Sequence, residues 1–115
     1  MIECRIWESE DGARSVTATM TRDGVNVNGH VYVIASGADI QELRFQLGPV
    51  KEAGNNGMQT EQVIVALINR LDVLNMVFPC AENDRAIQHL TRALGALNAR
   101  TLDRQERGVE GQKAP

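Results

Sequence analysis

The sequence predicts an α+β fold, an N-terminal antiparallel β-sheet followed by a C-terminal antiparallel αα-hairpin. Three observations carry that expectation. Over residues 1–48 apolar side chains alternate with polar or β-branched ones, the period of a half-buried strand. From Thr60 onward they recur every three or four residues, the period of a helix. Between the two regimes lies a break rich in Gly, Asn and Pro. The chain thus divides into a sheet region at 1–48, a loop plus hairpin at 49–111, and a loose tail at 112–115.

The elements follow in order. Ile2, Cys4 and Ile6 alternate with Glu3, Arg5 and Trp7, a first strand. Val16, Ala18 and Met20 alternate with Thr17, Thr19 and Thr21, a second. Arg22-Asp23-Gly24 is a turn signal, and Val25 to Ile34 continues as strand, interrupted at Asn28-Gly29. A further turn at Ser36-Gly37-Ala38-Asp39 leads to Ile40–Gln46, with Leu43 and Phe45 on one face and Arg44 on the other. Gly48-Pro49 through Gly54-Asn55-Asn56-Gly57 reads as loop. Thr60 is the expected N-cap of a helix whose stripe is Val63, Ile64, Leu67, Ile68, Leu71 and Leu74. Pro79 ends it. The second helix starts near Ala81 or Glu82 and runs to Arg107, where Gly108 stops it. A short link between two amphipathic helices makes them antiparallel neighbours.

Composition narrows the function. A net charge of −3 with no Lys/Arg block argues against a DNA or RNA binder, and four aromatics are too few for a stacking platform. No apolar run reaches the roughly 20 residues of a membrane span, and no signal peptide is visible. Cys4 and Cys80 form no spacing pattern, so two packed or half-buried thiols in a reducing cytosol are expected. No nucleophile with a base, metal-ligand spacing or P-loop occurs, so neither an enzyme nor a cofactor is expected. Glu82 and Asp84 suit a helix N-terminus. Ten of the twelve basic residues are Arg, the residue of bidentate anion contacts.

Position sharpens that bias. The seam of the second helix reads Ala86, Leu90, Ala93, Leu97, then Arg100, Arg104, Arg107, so an apolar stripe continues as arginines. The second helix overshoots the first, which places these arginines near the Gly54–Gly57 loop. Backbone N–H groups of that loop and the guanidiniums form one reading, an anion site including Asn55, Asn56 and Gly57. The other reading pairs the arginines with Asp103, Glu106 and Glu110 or with a neighbouring subunit.

Five segments, in order, carry a family resemblance. They are Phe45-Gln46-Leu47-Gly48-Pro49-Val50-Lys51-Glu52, Gly54-Asn55-Asn56-Gly57, Asn69-Arg70-Leu71, Cys80-Ala81-Glu82-Asn83, and Arg100-Thr101-Leu102-Asp103-Arg104-Gln105-Glu106-Arg107-Gly108-Val109-Glu110-Gly111. Together they resemble the first Thoeris anti-defence family of phage proteins, whose hairpin is shared with the second anti-CBASS family. The resemblance implies a sponge in the host cytoplasm. It would bind a cyclic nucleotide immune signal, glycocyclic ADP-ribose, without cleaving it, as a homo-oligomer (dimer or hexamer). Some members also hold cyclic di- or trinucleotides. The implied ligand contacts are Asn83, Arg100 and Arg104. Leu74 stands where many members carry an aromatic, and Phe78 follows four residues later. Ala81 stands where a basic residue is common. An enzyme hydrolysing such a signal, and a plain oligomerisation or protein-interaction module, are the alternatives.

Overall fold

The structure, a computed structural model, describes residues 1–108. The tail expected at 112–115 and the Val109-Glu110-Gly111 end of the resemblance lie outside the described residues. The chain forms two compact units, one ending at Met58 and the other beginning at Gln59.

Alternating apolar and β-branched residues build the first unit. β1 (Ile2–Glu8), β2 (Arg14–Arg22), β3 (Val25–Ser36) and β4 (Asp39–Arg44) form an antiparallel meander in that order. Asp23 and Gly24, both at positive φ, make the two-residue turn that pairs Arg22 with Val25. Between Ser9 and Arg14, Asp11 accepts hydrogen bonds from Ser9 Oγ (2.6 Å) and the Ala13 N–H (3.0 Å). These bonds hold its carboxyl below the usual range. Ala18, Val27 and Val31 are the buried apolar residues of this unit.

Register assigns the faces. Cys4, Ala18, Tyr32 and Leu43 lie across from one another, as do Glu3, Thr19, Val31 and Arg44 on the opposite side. Strict alternation places Trp7 with Glu3 and Arg5. The structure corrects this: the register slips between Arg5 and Trp7, so Trp7 lies opposite Val16, on the apolar face. A further irregularity between Thr19 and Thr21 lets β3 bulge around Asn28-Gly29, at the interruption expected there. Thr19 is fully buried, and its hydroxyl has no partner.

The segment after β4 is not plain loop. Pro49 precedes a single helical turn, α1 (Val50–Ala53). Phe45 then bridges Met58 in parallel, with Met58 N–H donating to Arg44 O and Gln46 N–H to Met58 O. Residues 49–58, grouped with the hairpin on sequence grounds, therefore belong to the first unit.

The second unit is the hairpin of α2 (Thr60–Val77) and α3 (Ala81–Glu106). The N-cap of α2 is Gln59 rather than Thr60. Its side chain accepts from the N–H of Gln62, whose own side chain accepts from the Gln59 N–H at 2.8 Å, a reciprocal capping box. α3 ends at Glu106 with Arg107 as C-cap, followed by Gly108 at positive φ. The half-buried stripe of α2 is Glu61, Ile64, Ile68, Leu71 and Asn75, with Val63 beside it. Leu67 and Leu74 lie outside it, exposed.

The seam of α3 also differs from the expected one. Its half-buried positions run Asn83, Ala86, Ile87, Leu90, Leu94, Leu97 and Thr101 to the buried Arg104. Ala93, Arg100 and Arg107 are exposed. Ala93, Arg100 and Arg107 repeat every seven residues just as Leu90, Leu97 and Arg104 do, but they start to one side of the stripe.

Candidate functional site

The turn end of the hairpin is held by one side chain. Asn75, in the last turn of α2, accepts from the Cys80 N–H at 3.0 Å and donates to Asp84 Oδ1 at 2.8 Å. Cys80 caps α3 by accepting from the Asn83 N–H at 3.4 Å. Asn75 thus ties both helix ends together, and Asp84 is an anchor as well as a dipole partner. Phe78, the C-cap of α2, donates its N–H to Leu74 O at 2.8 Å. Leu74, Phe78 and Asn83 therefore gather at this end. Phe78 is 76% exposed and Asn83 half-buried. Both thiols are exposed, which corrects the expected burial: Cys80 stands at a helix cap and Cys4 on an edge strand.

The far end of α3 carries the arginines, each in a different setting. Arg104 is 6% exposed and stands on the seam. Arg100 is exposed on the flank. Arg107 is exposed, and its Nε donates to Asp103 Oδ2 at 3.0 Å. For Arg107 the ion-pair reading from the sequence is thus what the structure contains. Arg100 and Arg104, four residues apart, stand one turn, about 6 Å, apart along the helix.

Asn55, Asn56 and Gly57 sit in the first unit, and they are not equivalent. Asn56 Oδ1 accepts from the Leu47 N–H at 2.8 Å while its Nδ2 donates to Leu47 O at 2.7 Å. Its N–H donates to Gln46 Oε1 at 3.0 Å, and Gln46 Nε2 reaches Gly54 O at 2.7 Å and Gly48 O at 3.1 Å. The Asn56 amide is committed to bracing the loop. A Cβ at Gly57 would stand 2.5 Å from the Phe45 carbonyl carbon, so glycine is required by the close backbone crossing. Asn55 alone of the three presents an exposed, uncommitted amide.

A charged cluster on β2 and β4 escaped the sequence reading. Glu42 lies between Arg22, which donates to its Oε1, and Arg44, whose Nε donates to Oε2 at 2.8 Å. The two guanidiniums, Arg22 first, draw its carboxyl down to about 2. Arg22 and Glu42 are twenty residues apart. Only the strand register joins them; the i, i+2 spacing of Glu42 and Arg44 was the available signal. Among the described residues no group of three or more His, Cys, Asp or Glu side chains could hold a metal. No described helix is long and apolar enough to cross a membrane.

These features define a small α+β protein whose second unit is a long two-helix hairpin, amide-braced at its turn and arginine-bearing at its far end. The Acb2/Tad1 hairpin domain matches residues 39–102, more than half of the chain, and the chain belongs to that family. A protein of Bacillus phage SBSphiJ7 named Thoeris anti-defense 1 is 50% identical to it over 70 residues. The match covers 60% of this chain and 49% of the relative, so the chain spans about half of that relative's length.

Proposed function

We propose that this chain is a phage anti-defence protein that sequesters a cyclic nucleotide immune signal, glycocyclic ADP-ribose, in the host cytoplasm without cleaving it. The support is its family and the name of the phage relative. The observation that carries the mechanism is the separation of recognition groups along α3. Asn83 stands 17 residues before Arg100 and 21 before Arg104, about 26 and 32 Å at 1.5 Å per residue. Ligand pockets of about 300–1,000 Å³ are only roughly 7–10 Å across. One copy of α3 therefore cannot apply both its amide and its arginines to one signal molecule. Two antiparallel copies can, the Leu74, Phe78 and Asn83 end of one meeting the Arg100 and Arg104 end of the other.

Exposed apolar side chains of the hairpin support such an assembly. Val65, Val73, Met76, Val77 and Phe78 of the hairpin are between 46% and 76% exposed. Burying them between copies is favourable by about 25 cal/mol per Å². In the shared site Arg100 and Arg104 take the diphosphate with charge-assisted bonds, Asn83 takes a ribose or base edge, and Phe78 and Leu74 cover its flat faces. Sequestration needs binding and no bond cleavage.

The test mixes protein with glycocyclic ADP-ribose, denatures the protein and analyses the supernatant. Depletion before denaturation and intact recovery afterwards is the expected result. A cleaved product points to a hydrolase. No depletion at micromolar protein refutes signal binding.

A further inference from the structure

The first unit holds a cavity that the hairpin mechanism does not use. It has a volume of about 190 Å³, and Arg22, Val27, His30, Arg44, Phe45 and Leu47 are among its walls. Its chemistry is two-sided. Val27, Phe45 and Leu47 form its apolar part. Arg22 and Arg44 form a cationic wall. Glu42 occupies Nη2 of Arg22 and Nε of Arg44. Its carboxylate thereby fixes the direction of both forks and takes one N–H nitrogen of each, so both guanidiniums keep further donors, while Asp23 and Glu3 also act on Arg22. His30 Nδ1 donates to Gln46 O at 2.9 Å, which leaves Nε2 to accept from a hydroxyl.

We propose that this cavity binds a phosphomonoester of a small sugar, its phosphate on Arg22 and Arg44, its hydroxyls on His30, and its carbon face on the Phe45–Leu47 wall. Size sets the class. The volume is below the roughly 300–1,000 Å³ that takes drug-sized ligands, so a dinucleotide is too large, whereas a phosphate on a five-carbon skeleton is of the right order. Charge sets the rest: a carboxylate already sits between the guanidiniums, and a dianionic phosphate added beside it needs both arginines. The site lies wholly within the first unit and does not rest on signal capture by the hairpin.

The test is calorimetric titration of the full chain at low ionic strength with ribose 5-phosphate, inorganic phosphate and ribose. Saturable binding of ribose 5-phosphate is expected, weaker binding of phosphate, and none of ribose. Arg44→Ala should weaken ribose 5-phosphate at least tenfold and leave capture of glycocyclic ADP-ribose unchanged. Arg44 is exposed, so the variant should fold. On the wild-type chain, the His30 ring nitrogen resonances should move as ribose 5-phosphate is added. Absence of saturable binding, ribose binding as well as its phosphate, or an unaltered affinity in Arg44→Ala each overturns the proposal. Loss of signal capture alone leaves these readouts intact, so the two readings fail separately.

Discussion

Asn56→Ala removes the two bonds that the side chain makes to Leu47, at 2.8 and 2.7 Å, and keeps the backbone bond to Gln46. A neutral hydrogen bond contributes about 0.5–1.5 kcal/mol net, and water replaces part of it at an exposed site, so the pair is worth about 1–2 kcal/mol. In a domain of this size each kcal/mol moves the melting temperature by about 4–8 °C, which sets an expected fall of roughly 4–15 °C. Asn55→Ala next door removes no such bond and should stay within about 0.5 kcal/mol of wild type. Gly57→Ala should be costlier than either, because its Cβ meets Phe45 backbone that cannot move without breaking the Phe45–Met58 bridge. Thermal and urea melts of the three variants, with signal affinity measured beside them, decide the matter. If Asn56→Ala melts like wild type while its affinity for the signal falls, Asn56 is a ligand contact and the bracing argument is wrong.

The Glu42 carboxyl is held at about 2, below its ordinary value near 4.5, by Arg22 and then Arg44. A depressed folded value stabilises fully above the unfolded one, so this contribution is lost as pH falls from about 5 through 2; Glu42→Gln should flatten that limb of an acid titration. Thr19→Val replaces a fully buried, unpartnered hydroxyl with a methyl group and should raise stability by roughly 1 kcal/mol in a urea melt; a loss would mean the hydroxyl is satisfied. Arg100→Ala should weaken signal binding about ten- to a hundredfold, the cost of about 1.5–3 kcal/mol for a charge-assisted bond, with the melting temperature unchanged. Arg104→Ala should lower both, since its side chain is buried. Light scattering at micromolar concentration should give at least a dimer, and a monomer mass throughout would remove the shared site.

The sequence shows elements wherever one period dominates. Four strands and two helices are legible from alternation and from three-and-four spacing, and the Asn28-Gly29 interruption of β3 is legible from its turn residues. Errors arise where a single residue changes phase. The slip near Ile6 moves Trp7 across the sheet, and no residue type announces it. Gln59 escapes notice because Thr60 is the stronger cap former, although Gln59-x-x-Gln62 has the spacing of a reciprocal box. Ala93, Arg100 and Arg107 satisfy a heptad as well as Leu90, Leu97 and Arg104 do; only the position of the partner helix separates the two tracks. Asn55 and Asn56 are the same residue type in the same loop. Which one braces Leu47 is a matter of backbone direction, which no pattern encodes.

That separation of tracks bears on how an arginine pair would hold a signal. On the proposed reading, Arg100 and Arg104 meet the same diphosphate from unlike starting states. The exposed Arg100 must give up most of its side-chain freedom on binding, a loss of up to about 1.5–2 kcal/mol for so long a chain. The buried Arg104 has already been ordered by folding and already interacts within the chain, so binding costs it little freedom but exchanges one contact for another. Arg104 should therefore fix the position of the phosphates, while Arg100 closes over them. Its looser hold matches a role in which the charge matters more than the angle. Arg100→Lys should then retain more binding than Arg104→Lys, whose compact ammonium cannot reproduce a planar fork from a buried position. A pair of equally ordered arginines would show equal losses. The difference between the two lysine variants, read by calorimetry on chains of equal oligomeric mass, measures how much of the site is built before the ligand arrives.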